Sequence, residues 1–143
     1  MRTSWILAAS VAVLSGCAPA KPVQYRVVEN SEILVVVERT AKGEATSHAI
    51  FAKPQNVRSG VYSRLDARKA YDCKTGQSVM KDVSDFTPEG KWINTISAPG
   101  EWTTAKGAGR VELRIVCDRE FAATRRLDGD LAAIEAAYRS KGG

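Results

Sequence analysis

The run Glu32-Ile33-Leu34-Val35-Val36-Val37-Glu38-Arg39 constrains this chain most. Its centre is β-branched and apolar at successive positions, so both faces of the segment must be buried, as in a central strand. Further extended segments follow. Lys42-Gly43 marks a turn into a return strand over Thr46 to Lys53, and Pro54 to Gly60 reads as loop. A long strand runs to Cys73, and Lys74-Thr75-Gly76 turns into Gln77 to Phe86. Pro88-Glu89-Gly90 breaks the chain before Lys91 to Ser97, and Pro99-Gly100 breaks it again. Gly107-Ala108-Gly109 then precedes Arg110 to Cys117, where alternation of Val111, Leu113, Ile115 and Cys117 against Glu112 and Arg114 predicts a strand. The end of the chain differs. Asp128-Gly129-Asp130 offers a cap, alanines favour a helix, and Leu131, Ile134 and Tyr138 recur at helical spacing before Gly142. The expected fold class is α+β: an antiparallel sheet of about five to six strands, a C-terminal α-helix packed on it, and one disulfide.

The amino terminus predicts export. Arg2 precedes about ten mostly apolar residues from Trp5 to Leu14, too short to span a bilayer but laid out as a secretory signal. Leu14-Ser15-Gly16-Cys17 is similar to the lipobox of bacterial lipoproteins, which implies cleavage before Cys17 and a diacylglycerol on its thiol. The expected organisation is a signal over residues 1–16, a lipidated tether over 17–24 containing Pro19 and Pro22, and a single domain over 25–143. Acyl burial contributes about 0.8 kcal/mol per CH₂, so the lipid supplies a membrane anchor. Ala18 after the cysteine implies the outer membrane by resemblance to enterobacterial sorting, with the periplasmic or outward orientation left open. With Cys17 assigned to lipid, Cys73 and Cys117 remain as an even pair in an oxidising compartment, and a disulfide is expected. Strand parity puts both thiols on apolar faces, and no Cys-x-x-Cys or activating neighbour suggests redox catalysis.

The net charge is +5. Between Lys53 and Lys74 the basic residues Arg58, Arg64, Arg68 and Lys69 outnumber Asp66 and Asp72, which makes a candidate patch for a glycan, lipopolysaccharide or an acidic protein face. A solvated strand face is the plainer account. Nucleic acid is not an expected partner of an exported chain. Trp92 and Trp102 follow charged residues near Pro/Gly breaks and are candidate contacts, although covering the strand ends is the commoner use of such side chains. His48 is the only histidine and lies beside Ile50 and Phe51, where a surface or sheet role fits better than a catalytic one. No nucleophile elbow, metal-ligand cluster, calcium loop or phosphate cradle is present, so no catalytic residue, metal or cofactor is assigned.

A longer pattern joins Tyr62-Ser63, Tyr71-Asp72-Cys73, Phe86, Gly90, Pro99-Gly100-Glu101-Trp102 and Val116-Cys117. It resembles the surface-adhesin protein E family of outer-membrane lipoproteins over about residues 32–118. The resemblance implies a disulfide-braced antiparallel sheet backed by a helix, compatible with a homodimer, on a non-enzymatic envelope lipoprotein that recognises a protein or glycan. The residues that match are structural, and no ligand-contact motif carries over. The competing expectations are a structural or assembly lipoprotein of an envelope complex and a periplasmic hydrolase inhibitor, the latter disfavoured by the basic balance.

Overall fold

A computed structural model describes Gly16 and residues 21–57, 60–97 and 100–142. The lipidation position Cys17, most of the export signal and the candidate Arg58 lie outside the described residues. The strands are β1 (Gln24–Glu29), β2 (Ile33–Ala41), β3 (Glu44–Val57), β4 (Gly60–Asp72), β5 (Gln77–Phe86), β6 (Trp92–Ser97), β7 (Thr103–Thr104) and β8 (Arg126–Leu127). The helices are α1 (Ala108–Cys117), α2 (Arg119–Ala123) and α3 (Leu131–Lys141). One antiparallel sheet holds all the strands in the order β6-β5-β4-β3-β2-β1-β8, with β7 also on β5.

The first six strands form a meander, each pairing with the next. Its turns need glycine where the backbone turns left-handed. At Gly43, φ is +71° and a Cβ would sit 3.2 Å from the Tyr71 carbonyl, so conformation and space both exclude a side chain. The Pro54 to Gly60 stretch, expected as loop, is mostly hairpin: Gln55–Val57 pairs with Gly60–Tyr62 beyond a register break that contains Pro54. A break is where a residue without an N–H donor is tolerated.

Helices cover both faces of β1–β3. On one face α1 and α2 bring Ile115 and Ala122 onto Tyr25, Val27, Val37, Ala45 and Tyr71. On the other, Ile134 and Tyr138 of α3 pack on Leu34, Val36 and Ile50. Adjacent Val36 and Val37 are fully buried in opposite cores, which is why β2 is apolar on both sides. Each such buried aliphatic side chain stabilises by about 1.5–3 kcal/mol. The α3 helix starts as the sequence predicts, with the Asp130 carboxylate accepting from the Ala133 N–H at 2.8 Å.

Two further expectations are corrected. Residues 110–117 are helix α1, not a strand. Val111 and Ile115 are four apart, and four is both an even number and about one helical turn, so they share a face in either structure. The side chains that α1 buries are Glu112 and Ile115, at i and i+3, while Arg114 is exposed. Among the described residues the sheet also has eight strands rather than five or six, because β1 and the two-residue β7 and β8 add to the expected ones. The cysteine pair is bonded as expected. Cys73–Cys117 ties the β4–β5 turn to the last residue of α1, with Cα atoms 5.6 Å apart.

Candidate functional site

Cross-strand register places the polar residues of the α3 face in rows. Val36, His48, Asp66, Ser84 and Thr95 lie directly opposite one another across β2 to β6. Beside this row run Leu34, Ile50, Arg64, Phe86 and Trp92, and on the other flank Glu38, Thr46, Arg68, Asp82 and Ser97. Helix α3 covers the β2 and β3 ends of these rows. Their β4–β6 ends form an open platform. No β6 side chain is buried, and Asp82 is the only buried residue of β5.

A charged chain borders the covered part. His48 Nδ1 meets Asp66 Oδ1 at 2.7 Å, and Arg64 Nε donates to the same oxygen at 2.9 Å. Arg64 Nη1 continues to Glu135 Oε2 at 2.9 Å, and Arg139 Nη2 reaches the other Glu135 oxygen at 2.7 Å. This path links the sheet to α3 through side chains that are mostly buried, where an unpaired charge would cost far more than a paired one. His48 Nε2 lies 3.7 Å from Glu38 Oε2, and neither it nor Gln24 Oε1 has a hydrogen-bond partner among the described residues. The imidazole is therefore a buried sheet group held by Asp66. Among the described residues no three side chains form a metal-ligand group.

At the margin between the covered part and the open platform, Arg64 lies over the Phe86 ring at 4.3 Å, a cation–π contact. Trp92 Nε1 donates to Thr95 Oγ1 at 2.8 Å, and Thr95 shares a 2.8 Å hydrogen bond with Ser84. These bonds fix the indole while leaving Trp92 62 % exposed, so it does not cover the core. Arg68 donates through Nε to both Asp82 oxygens and holds that carboxyl below the usual carboxylate range. A fixed aromatic ring, hydroxyls and a guanidinium on one open face are equipped to stack on and hydrogen-bond a ligand.

The sequence candidates thus divide. Arg68 and Trp92 share this platform, and Arg64 lies at its covered margin, held by Asp66 and Glu135. Lys69 points to the opposite face, where its Nζ meets Glu112 Oε2 at 2.7 Å. The same carboxylate accepts from Ser47 and Tyr71 hydroxyls, each at 2.8 Å, and burial first, then the Glu112 charge, pushes the Tyr71 phenol well above its ordinary value. Lys69 therefore seats α1 on the sheet. Trp102 is 48 % exposed in the segment just before β7. Ser84 and Thr95 carry no signal of their own in the sequence, where Phe86 belongs to the family pattern and Asp66 stands only as an acid among the basic residues. Their period-two spacing within β4 and β5 is a face signal, but the strand pairing that unites them is not local.

No protein-family model, characterised protein or solved structure matches this chain.

Proposed function

We propose that this is a lipid-anchored protein of the bacterial envelope whose domain, similar to surface-adhesin protein E, binds a protein or glycan and catalyses no reaction. Residues 14–17 and the cysteine pair support the compartment, and the aromatic pattern supports the family. One observation carries the binding role: Trp92 is held by Thr95 yet exposed on an uncovered sheet face beside Phe86 and Arg64. Buried aromatic anchors dominate binding interfaces once a partner covers them. Saturable binding of the purified full chain to matrix proteins or a glycan array, abolished by Trp92→Ala, is the expected result. Absence of saturable binding across both panels rejects the reading.

An assembly lipoprotein of an envelope complex is the second reading. It is favoured by β6, which among the described residues pairs with β5 alone and leaves its other edge without a neighbour. Crosslinking in intact cells separates the two. Only periplasmic neighbours support assembly, whereas cleavage by protease added outside supports surface binding.

A further inference from the structure

We infer that a cleft of about 400 Å³ lined by Arg39, Arg119 and Arg126 receives the phosphate of an anionic membrane lipid. Tyr25 and Ala123 complete its walls, and no carboxylate lines it. It lies at the β1 edge of the sheet, away from the Trp92 platform at the β6 edge.

The three guanidiniums come from β2, α2 and β8, and the fold brings them together because Tyr25 lies opposite both Val37 and Arg126. Among the described residues five arginines elsewhere are paired, Arg26 with Glu29, Arg64 with Asp66 and Glu135, Arg68 with Asp82, Arg114 with Asp118 and Arg139 with Glu135, while Arg110 and Arg125 stand singly outside the cleft. None of the three cleft arginines has such an ion pair among the described residues. Nearby acids are engaged elsewhere or lie outside the cleft. Asp118 caps α2 by accepting from the Phe121 N–H, and Asp130 caps α3. Asp128 lines a neighbouring cleft with Lys21 and Arg126, while Glu120 is exposed on α2. Arg39 is held in advance: it donates to the hydroxyl of buried Tyr25 and lies 4.8 Å over its ring. Converging like charges repel, so their arrangement favours an anion with several oxygens, and planar guanidinium forks match phosphate geometry.

The position of the cleft selects a lipid phosphate. Tyr25 is eight residues after Cys17, and an extended chain covers about 3.3–3.6 Å per residue, so the cleft cannot stand more than about 30 Å from the anchor. This step rests on the lipid anchor proposed above; the cleft itself does not. Acyl chains at Cys17 would hold the arginines near head groups, where basic residues are attracted to anionic lipid.

The test uses the full chain carrying Cys17→Ser, which takes no lipid, and measures co-sedimentation with phosphatidylcholine vesicles with and without phosphatidylglycerol. Preferential binding to the anionic vesicles is expected. Each arginine contributes about fivefold, so Arg39→Gln, Arg119→Gln and Arg126→Gln together weaken it about a hundredfold. A variant with the same charge change at exposed Lys91, Lys106 and Arg110 controls for net charge and keeps most of the preference. Equal loss in both variants, or none in the cleft variant, overturns the inference. Inorganic phosphate that displaces the chain at low millimolar concentration assigns the cleft to a soluble anion and overturns the lipid source. Palmitate labelling of the unmodified chain tests the anchor separately. Vesicle preference without label keeps the cleft and removes the anchor; label without preference does the reverse.

Discussion

Strands β1–β3 and strands β4–β6 belong to one sheet, but helices cover only the first group on both faces. Glu112 and Asp82 show the difference at the scale of one carboxylate. Glu112, on the sheet-facing side of α1, accepts from Ser47, Lys69 and Tyr71 and fastens the helix to three side chains of β3 and β4. Asp82, on the open half, meets Arg68, whose side chain is 65 % exposed and stays in water. A buried charge with several partners costs much when one is removed, whereas a pair whose cation stays in water contributes less. The covered half therefore holds most of the stability, and the open half has side chains free for recognition.

Perturbations of decreasing size test that contrast. Cys73→Ser with Cys117→Ser should have the largest effect, because the bridge joins the open β4–β5 turn to a covering helix across 44 residues. The chain-entropy treatment gives a loss of about 4 kcal/mol, measurable by urea unfolding with and without reductant. Hydrogen exchange should then rise in β5 and β6 before β2 and β3; simultaneous loss would show that the halves unfold as one unit. Glu112→Ala should cost about 3 kcal/mol, since Lys69 is left largely buried without its counter-charge. A cost under 1 kcal/mol would remove Glu112 as the fastening point of α1.

The Asp82 carboxyl supplies a smaller, pH-dependent effect. Its folded pKa is lowered, chiefly by the hydrogen bond from Arg68, so its stabilisation is present above the unfolded carboxyl value of about 3.9 and fades as pH falls through the lower folded value. The stability difference between the unmodified chain and Asp82→Asn should accordingly shrink below about pH 4. A difference that grows on acidification reverses the assignment. Trp92→Ala should change stability least, within about 0.5 kcal/mol, while removing ligand binding. A loss as large as that of Glu112→Ala would place Trp92 in the core and erase the distinction between the halves.

Where the signal is local, the sequence is readable. Doubly apolar β2, the Asp130 cap with its Leu131–Ile134–Tyr138 stripe, and the even cysteine pair each correspond to an observed feature. Helix α1 is not legible locally because Val111 and Ile115 satisfy two periods at once, and its burial of Glu112 depends on partners 41, 43 and 65 residues away. His48 was legible as a sheet residue, but its hold by Asp66 was not, since that contact exists only through β3–β4 register. The platform was half visible: Arg64, Arg68 and Trp92 stood out by type, while Lys69, one residue from Arg68, faces away because strand neighbours alternate. The arginine cleft draws on residues from Arg39 to Arg126 and leaves no contiguous trace.

The meander also sets an order of assembly. A chain that emerges amino end first can zip β1 through β6 from neighbouring pairs, a low-contact-order route that favours speed. Its first strand nevertheless keeps an unclosed margin until Arg126 and Leu127 arrive about a hundred residues later, together with the helices that shield β1–β3. Until then both apolar sides of β2 face solvent, and the half-made ribbon is most vulnerable to self-association during synthesis. Premature truncation before residue 126 should thus yield aggregates rather than a smaller folded core.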